Sequence, residues 1–356
     1  MFLKKLELTN FRNYSNLSLE FDHRPTILVG NNAAGKSNLL EAVYLLSTTK
    51  SQRVDTEDEL IKEGEKFCKV EGLLDEPETK SDLETELLII INEPSEEVAF
   101  RKKVMVNGIG RRVVDFIGNL PAVIFYPSDI NMVTGSPSLR RWHLDLGLAQ
   151  VDTDYKKALT LYEQFLTARN RVLKRIREGK ARVDELEYWT NELVEKGKEV
   201  SIKREDFFKF INTLEKPLGE FVFEYIENPI TVEKLIETNG REVAAAQTLI
   251  GPHRDDFIMW LEGRKLAHFG SRGEQRTATL AFKLAQLEYM AKILGKRPIL
   301  LLDDVFSELD ANHRAHVVEV VGKQQTIIAT VELENIPKSF LDQSRILRVE
   351  DGKIVE

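Results

Sequence analysis

Disulfides and membrane spans are excluded by what this sequence lacks. The 356-residue chain contains one cysteine, Cys68, which cannot build a disulfide framework or a zinc cluster of thiolates. No apolar stretch reaches the length of a membrane-spanning helix. The first residues, MFLKKLELTNF, alternate in hydrophobicity and carry charge, which is atypical of a signal peptide. These absences predict a cytoplasmic protein without a membrane partner.

An excess of positive charge is also missing. The chain has 50 Lys and Arg residues against 58 Asp and Glu residues, which gives a net charge of −8. A surface coated with positive charge is therefore excluded, and any contact with nucleic acid must come from a local basic patch. Hydrophobic residues make up 42% of the chain, which is enough to build a core and argues against disorder.

The segment GNNAAGKSNLL, from Gly30 to Leu40, carries the strongest motif in the sequence. It satisfies the phosphate-binding pattern G-x-x-x-x-G-K-[ST], with an apolar run before it and a helical pattern after it. A glycine-rich turn at a helix start directs backbone N–H groups and the helix dipole at phosphate. In such loops Lys36 reaches the β- and γ-phosphates, and the Ser37 hydroxyl binds Mg²⁺. The predicted nucleotide-binding residues are Gly30, Asn31, Asn32, Ala33, Ala34, Gly35, Lys36, Ser37 and Asn38.

A pair of carboxylates follows a second apolar run. Ile299–Leu302 predicts a buried strand, and Asp303 and Asp304 come directly after it. A P-loop enzyme places the carboxylate that holds Mg²⁺ at the end of such a strand. Asp303 is therefore a candidate Mg²⁺ ligand together with Ser37, although a turn cap is the alternative role. Asp304 is a candidate general base for water beside the γ-phosphate, and with Lys36 the two carboxylates form the predicted catalytic set.

FGSRGEQR, from Phe269 to Arg276, is a third candidate phosphate contact. Ser271 stands just before a predicted helix, Gly273–Leu294, where a hydroxyl and backbone N–H groups are again available. An ordinary helix start is the alternative interpretation. The order of the motifs makes the segment informative: the phosphate-binding loop comes first, then S-x-G-x-Q, the double carboxylate, and SELD at 307–310.

Strand and helix patterns divide the chain into two predicted lobes. Alternating runs before residue 127 predict strands, two long helical patterns predict a hairpin arm at about 155–216, and a β-α-β rhythm returns near the C-terminus. Both chain ends are therefore expected to build one α/β domain. Lobe I, with the phosphate-binding loop and the double carboxylate, is predicted at 1–127 and 298–356. Lobe II, mostly helical and containing the arm and the motif at 269–276, is predicted at 128–297.

The ordered motifs resemble those of the ABC-type ATPases, and in particular those of the RecF family within their SMC-like branch. LTNFRNY (8–14), GSPSLRRWHLDLGL (135–148) and GPHRDD (251–256) also follow the order typical of that family. The resemblance extends over the whole chain. It implies an α/β fold, an ABC-type P-loop ATPase head with an antiparallel N-terminal β-subdomain and a helical second domain. It also implies ATP and Mg²⁺ as cofactors, and two heads that enclose two ATP molecules.

Further residue roles are implied only by this resemblance. The signature motif and the loop after the carboxylates would face the nucleotide of the other subunit, and the turn at 12–13 would touch the nucleotide, with a solvated turn as the alternative. The residues concerned are Ser271, Arg272, Gly273 and Gln275 of the signature, Ser307 and Asp310 of the loop, and Arg12 and Asn13 of the turn. Arg254 of GPHRDD has no assigned chemistry, and a turn salt-bridged through Asp255 is the alternative.

The sequence departs from the wider ABC pattern at three positions. Asp304 stands where most relatives carry Glu, which withdraws the carboxylate by about one ångström and predicts slow hydrolysis. After the apolar run 326–329, where a switch histidine usually stands, the chain has Thr330-Val331-Glu332. No glutamine occupies the Q-loop position, which corresponds roughly to 126–129.

One dense basic stretch occurs in this acidic chain. RNRVLKRIREGKAR, at 169–182, contains seven positive residues and one acid, Glu178. Lys and Arg contacts to phosphate give affinity for DNA without sequence preference, whereas a solvated helix face is the alternative. The candidate DNA contacts are Arg169, Arg171, Lys174, Arg175, Arg177, Lys180 and Arg182, with Arg140 and Arg141 as a second pair.

As the resemblance implies, the protein is expected to be an ATP-gated DNA-binding protein of recombinational repair. ATP would close a head-to-tail homodimer on double-stranded DNA at single-strand gaps, and slow, DNA-stimulated hydrolysis would release it. RecO and RecR would act with it in loading RecA. The alternative is an ATPase subunit of a membrane transporter, against which the missing switch histidine, the Asp-Asp pair and the arm all speak. A small-molecule P-loop kinase would have no use for the S-x-G-x-Q and S-x-L-D motifs.

Overall fold

The computed structural model describes residues 2–75, 84–94, 100–309 and 311–355. Its strands are β1 (Phe2–Phe11), β2 (Tyr14–Glu20), β3 (Thr26–Val29), β4 (Phe67–Asp75), β5 (Thr85–Asn92), β6 (Lys102–Val106), β7 (Ile109–Arg111), β8 (Ala122–Phe125), β9 (Phe221–Ile226), β10 (Asp256–Leu261), β11 (Arg264–Lys265), β12 (Ile299–Asp303), β13 (Thr326–Thr330), β14 (Arg345–Glu350) and β15 (Lys353–Val355). Its helices are α1 (Lys36–Thr48), α2 (Val113–Phe116), α3 (Asn131–Thr134), α4 (Pro137–Val151), α5 (Thr153–Arg177), α6 (Glu187–Ile211), α7 (Val232–Ala245), α8 (Leu266–Phe269), α9 (Arg272–Leu294), α10 (Ala311–Val321) and α11 (Lys338–Leu341). Within these residues, no helix combines the length and the apolar character needed to cross a membrane.

The chain divides into two compact units. Unit 1 comprises Met1–Asp129 and Thr279–Glu356, and unit 2 comprises Ile130–Ala278. The second boundary lies inside α9, whereas the sequence predicts it after that helix, at 297/298. α9 continues across it because its interior from Glu274 onward contains neither Gly nor Pro. The assignment of the two units as ATPase lobe and helical lobe stays a prediction.

Unit 1 contains an antiparallel sheet with the strand order β2-β1-β4-β5-β6-β7. Residues of β4 and β5 alternate between buried and more exposed positions, which is the period of two that their sequences predict. The buried face, with Val70, Leu87 and Ile89, joins the core of the unit. This sheet is the predicted antiparallel N-terminal subdomain. The sheet ends at β7, whose last residue is Arg111, and α2 follows.

A second sheet of unit 1 places the ends of three parallel strands side by side. Its order is β15-β14-β3-β13-β12-β8, and β13 is parallel to both β3 and β12. These three strands are almost entirely buried, as continuous apolar runs predict. Because the carboxyl ends of parallel strands meet at one edge, the motifs that begin at Gly30, Asp303 and Thr330 lie together there.

α1, which follows the phosphate-binding loop, is buried on nearly all sides. Its apolar residues from Leu39 to Leu46 are at most 5% exposed, and the helix packs against strands of both sheets of unit 1. A helix that is apolar all round belongs in a core. Its burial fixes the position of the loop that precedes it at the sheet edge.

Unit 2 contains an antiparallel helical hairpin, with α5 and α6 each 25 residues long. The two helices run in opposite directions, because Arg204 contacts Tyr155 near one end and Thr190 contacts Arg169 near the other. α6 continues through Gly197, where an added Cβ would lie 2.8 Å from Ile230. This glycine therefore permits close packing rather than breaking the helix.

The GPHRDD motif of unit 2 has a buried partner. Asp255 is 1% exposed, and its Oδ2 accepts a hydrogen bond from Arg204 Nη1 at 2.8 Å. Arg204, also 1% exposed, donates to Asp145 Oδ1 and to Pro252 O, both at 2.8 Å. Arg254 itself is exposed. The motif therefore anchors the start of β10 to α6 through Asp255 and Arg204, and not through Arg254.

Candidate nucleotide site

The phosphate-binding loop has the backbone that its glycines predict. Gly35 has φ 118°, in the left-handed region that side chains disfavour, and an added Cβ would lie 2.7 Å from Asn13 Nδ2. At Gly30 an added Cβ would lie 2.2 Å from the carbonyl oxygen of Val349. Both glycines are thus required by close approach of other chain segments to the loop.

Lys36 and Ser37 stand at the start of α1, where the motif places them. Lys36 Nζ donates to the carbonyl oxygens of Gly30 at 2.7 Å and Asn31 at 2.8 Å. Burial lowers the pKa of Lys36, and the neighbouring carboxylates of Asp303 and Asp304 oppose that shift. Ser37 Oγ donates to Asp303 Oδ1 at 2.9 Å, so residues 266 positions apart meet at the sheet edge.

The two carboxylates differ in their surroundings. Burial raises the pKa of Asp303, while the hydrogen bond from Ser37 acts in the opposite direction. Asp304 has a left-handed backbone, with φ 50°, and its N–H donates to Ala329 O at 2.8 Å. Its Oδ1 is buried and has no hydrogen-bond partner among the described residues. The backbone of Asp304 is in a costly conformation, and this carboxylate oxygen receives no hydrogen bond from the part of the chain that the structure describes. It is therefore suited to accept a hydrogen bond, or a proton, from a water molecule.

These groups line one cavity of about 250 Å³ in unit 1. Its wall includes Gly35, Lys36, Ser37, Asp303 and Asp304. The donors fit a phosphate chain, and Ser37 with Asp303 fits Mg²⁺, which proteins bind through one or two carboxylates plus substrate phosphates. In the described ranges no cluster of three or more His, Cys, Asp or Glu residues could hold a metal ion by itself.

Two further segments reach this cavity. Pro127 lines it from the position predicted to replace a Q-loop, and Thr330 and Val331 line it from the end of β13. Thr330 Oγ1 donates to Glu332 O at 3.0 Å. Two residues of the segment that stands where a switch histidine is usual, Thr330 and Val331, thus line the cavity.

Arg53 also lines the cavity, and sequence reasoning missed it. Its Nη1 donates to Asn38 Oδ1 at 2.9 Å and to Glu41 Oε2 at 3.0 Å. Arg53 lies in a segment without periodicity or motif, so the sequence offers no signal beyond its charge. Only the contact with α1 reveals it.

Arg12 and Asn13 contact the loop and its helix rather than the cavity. Arg12 forms a two-point ion pair with Glu41 of α1, at 2.9 and 2.8 Å, so it is not a solvated turn residue. Asn13 Nδ2 donates to Ala34 O at 3.1 Å, and its Oδ1 accepts from Asn38 Nδ2 at 2.8 Å. Contact of this pair with nucleotide stays a prediction.

The signature motif forms a capped helix start in unit 2. Ser271 Oγ accepts a hydrogen bond from Glu274 N at 3.2 Å, and Glu274 Oε2 accepts one from Ser271 N at 2.7 Å. Ser271, Arg272 and Gly273 are exposed. Gln275 is 8% exposed and donates to the carbonyl oxygens of Leu266 and Gly270, so it holds the preceding loop in place.

The loop after the carboxylates is described only in part. Ser307 is exposed, and its Oγ donates to Asp304 O at 2.8 Å. This bond ties the loop to the carboxylate pair within unit 1. Asp310, the second predicted residue of this loop, lies outside the described residues.

The predicted DNA contacts separate into buried and exposed groups. Arg169 is 1% exposed and bonds to Glu242 at 2.7 Å and to Thr248 at 2.8 Å, so we remove it from the candidate DNA contacts. Arg140 forms a two-point ion pair with Asp256, and Arg141 donates to Asp255 O, so both serve packing within unit 2.

The other six basic residues of 169–182 are exposed. Three are ion-paired with nearby acids: Arg175 with Glu185, Lys180 with Glu178, and Arg182 with Asp184. The remaining three form no ion pair among the described residues and recur every three positions along α5. They are Arg171, Lys174 and Arg177.

Comparison with known proteins places the chain among related sequences and folds. A sequence profile of the RecF/RecN/SMC N terminal domain matches residues 2–354. The DNA replication and repair protein RecF of Bacillus subtilis is 33% identical over 381 aligned residues, with 100% of both chains covered. The RecF protein of Rippkaea orientalis is 37% identical over 386 residues, with 99% of both covered.

Solved structures agree with these sequence matches. The structure of the recombination mediator protein RecF-ATP in the RecFOR pathway has a TM-score of 0.87 and 28% identity, and covers 99% of this chain and 97% of its own. A Smc head domain from Pyrococcus furiosus has a TM-score of 0.55 at 18% identity, with 99% and 96% covered, and shows the fold alone. The fold is thus that of an ABC-type ATPase head, which confirms the fold class predicted from the sequence.

Proposed function

The chain belongs to the RecF/RecN/SMC family, and within it to the RecF proteins, and from this membership we propose that it is an ATP-gated DNA-binding protein of recombinational repair. ATP closes a head-to-tail homodimer on double-stranded DNA at single-strand gaps, and slow hydrolysis, stimulated by DNA, releases it. The protein acts with RecO and RecR to help load RecA. The similarity to a structure of RecF-ATP in the RecFOR pathway supports this proposal. Membership of the RecF/RecN/SMC family argues against the alternative, an ATPase subunit of a membrane transporter.

The observation that carries the proposal is the meeting of the phosphate-binding loop with the carboxylate pair in one cavity. ATP is the proposed substrate, and Mg²⁺ would neutralise the charge of its phosphates. Lys36 Nζ and the loop N–H groups would bind phosphate oxygens, while Ser37 Oγ and Asp303 would hold the metal ion. Asp304 Oδ1, which has no hydrogen bond of its own, takes the proton of the attacking water.

Slow turnover follows from the geometry of Asp304. Its side chain is one methylene shorter than that of Glu, which shortens the reach of the carboxylate from a backbone held in the left-handed region. A general base that stands back from the water loses much of its effect. The protein therefore works as a timer: nucleotide binding closes the dimer, and hydrolysis limits how long it stays closed.

The first test measures binding of a fluorescent DNA duplex with ATP, with ADP and without nucleotide. We expect binding only with ATP, and none by Lys36→Met, which loses the phosphate-binding ammonium. ATP binding without DNA binding in any state would overturn the DNA function while leaving the nucleotide site intact. Equal DNA binding in all three states would overturn the gating.

The second test concerns the signature motif. Ser271 is exposed directly before the start of α9, so an arginine there should block the proposed contact with the other subunit. Ser271→Arg should therefore leave ATP binding intact and abolish the ATP-dependent dimer. Thr231→Arg is a matched control, since Thr231 is the N-cap of α7 and its hydroxyl accepts from Lys234 N at 3.2 Å. If both variants keep the dimer mass of the wild type with ATP, the proposed contact across the dimer is wrong.

The third test compares two groups of exposed basic residues of 169–182, those without an ion pair in the described part of the chain and those with one. Replacing Arg171, Lys174 and Arg177 together by Gln should make the slope of log affinity against log salt less steep, by the amount that about three phosphate contacts contribute. Replacing Arg175, Lys180 and Arg182 by Gln removes the same formal charge but only ion-paired cations, and should change the slope less. An equal loss in both variants would mean that the ion pairs do not set which cations contact DNA.

A further inference from the structure

The phosphate-binding loop is held by two hairpins, β1–β2 and β14–β15. Ala34 O accepts two hydrogen bonds, from Gly352 N at 2.9 Å and from Asn13 Nδ2 at 3.1 Å. The next carbonyl along the chain, Gly35 O, accepts one from the buried hydroxyl of Tyr14 at 3.1 Å. Asn13 and Tyr14 come from the β1–β2 hairpin, and Gly352 comes from the β14–β15 hairpin.

The orientation of these carbonyls decides where the next N–H groups point. A peptide bond is planar and trans, so its C=O and N–H point in opposite directions. Holding Ala34 O toward the hairpins turns the N–H of Gly35 away from them, and holding Gly35 O does the same for the N–H of Lys36. Gly35 and Lys36 line the cavity, so these are the N–H groups available to phosphate.

The β14–β15 hairpin approaches its neighbours closely at two glycines, Gly352 and Gly30. Gly352 has φ 72°, and an added Cβ there would lie 2.6 Å from the backbone oxygen of Asn13. Earlier in the same hairpin, the carbonyl oxygen of Val349 lies 2.2 Å from the position that a Cβ on Gly30 would take. A side chain at 352 must push the hairpin, the Asn13 turn or the loop out of place.

We propose that the Asp351–Gly352 turn, together with Asn13, is a positioning element that orients the loop N–H groups for phosphate. In this proposal the element acts through Ala34 O. This inference rests on the proposed function in that the ligand is a nucleoside triphosphate, and its consequence is specific. Disturbing the turn weakens nucleotide binding although every motif residue remains.

The chain provides a matched control for this idea. Gly108 also has φ 72° and follows Asn107 in the turn between β6 and β7, as Gly352 follows Asp351, but nothing lies within 4 Å of a Cβ added there. Gly108→Ala and Gly352→Ala therefore impose the same backbone strain. Only Gly352→Ala displaces a neighbour of the loop.

The experiment is titration of wild type, Gly352→Ala and Gly108→Ala with ATP and with ADP, with thermal unfolding of each protein recorded alongside. We expect Gly352→Ala to bind both nucleotides about fivefold more weakly, the effect of one net hydrogen bond. Gly108→Ala should bind like the wild type, and both variants should remain folded at the temperature of the titration. Equal affinities in the two variants would overturn the inference, whereas a wild type that binds no nucleotide would overturn the proposed function instead.

A second variant covers the case in which Gly352→Ala does not fold. Asn13→Ala removes the other donor to Ala34 O without adding any atom, and it should weaken ATP and ADP binding in the same direction. Wild-type affinity in Asn13→Ala would show that the orientation of Ala34 O does not limit phosphate binding.

Discussion

Arg204 is a buried charge of unit 2, and replacing it with Met should destabilise that unit severely. The guanidinium is 1% exposed and donates to Asp145, Asp255, Tyr155 and Pro252. Met fills similar volume but leaves Asp255, itself 1% exposed, without its cation. Breaking a buried ion pair from one side costs about 3–5 kcal/mol. With a urea dependence of about 2 kcal/mol per molar, the unfolding midpoint should fall by about 2 M.

Tryptophan fluorescence reports this transition selectively. All three tryptophans, Trp142, Trp189 and Trp260, belong to unit 2. Arg182→Met is the control, because its side chain is 83% exposed in its pair with Asp184 and should change stability by less than about 0.5 kcal/mol. Equal midpoints for the two variants would refute the reasoning. In a double-mutant cycle, adding Asp255→Asn should recover part of the loss, since the uncompensated charge is then removed.

Three further changes test the packing and electrostatics of each unit. Gly197→Ala should destabilise α6 by about 1–3 kcal/mol, because the added Cβ clashes with Ile230. Gly240→Ala in α7 has open space around its Cβ and should stabilise the protein by about 1 kcal/mol. Tryptophan fluorescence against urea measures both changes, and a change of the same sign in the two variants would contradict the packing argument. Burial raises the pKa of Cys68 to about 12, so a thiol reagent should label it only when unit 1 opens, and fast labelling of the native protein would contradict its burial. Asp303→Asn should slow that labelling at pH 7, because the raised pKa of Asp303 means that its ionised form destabilises the folded state. The difference between variant and wild type should vanish as the pH falls below about 4, the ordinary pKa of Asp. A difference that does not depend on pH would contradict this cause.

The fold class and the meeting of the nucleotide motifs were predictable from the sequence. Each motif is local: Gly30 to Ser37 follows one apolar run, and Asp303 ends another. Parallel strands bring such endings to one sheet edge whatever their separation along the chain, so Ser37 and Asp303 meet although 266 positions apart. The rule needs only strand type and motif position, and a sequence contains both.

The residues that orient the loop were not predictable, because their role depends on contacts between distant turns. Gly352 reads as an ordinary hairpin glycine, indistinguishable from Gly108 in its local sequence. Its N–H reaches Ala34 O only because β14 pairs with β3 in the second sheet. Arg53 is a similar case, since its contact with α1 follows from the path of a segment without periodicity.

Arg169 shows a signal that the sequence held but that charge counting concealed. In the sequence of α5, Tyr162, Leu166 and Leu173 recur at helical spacing, and position 169 falls on the same face, seven residues after Tyr162. A charge on a buried stripe must find an opposite charge or lose several kcal/mol, so Arg169 required an acidic partner from another element. That partner, Glu242 of α7, lies 73 residues away and could not be named from the sequence. Position on α5 therefore identifies Arg169 as structural, while the other six cations of 169–182 are exposed and stay candidates for binding DNA.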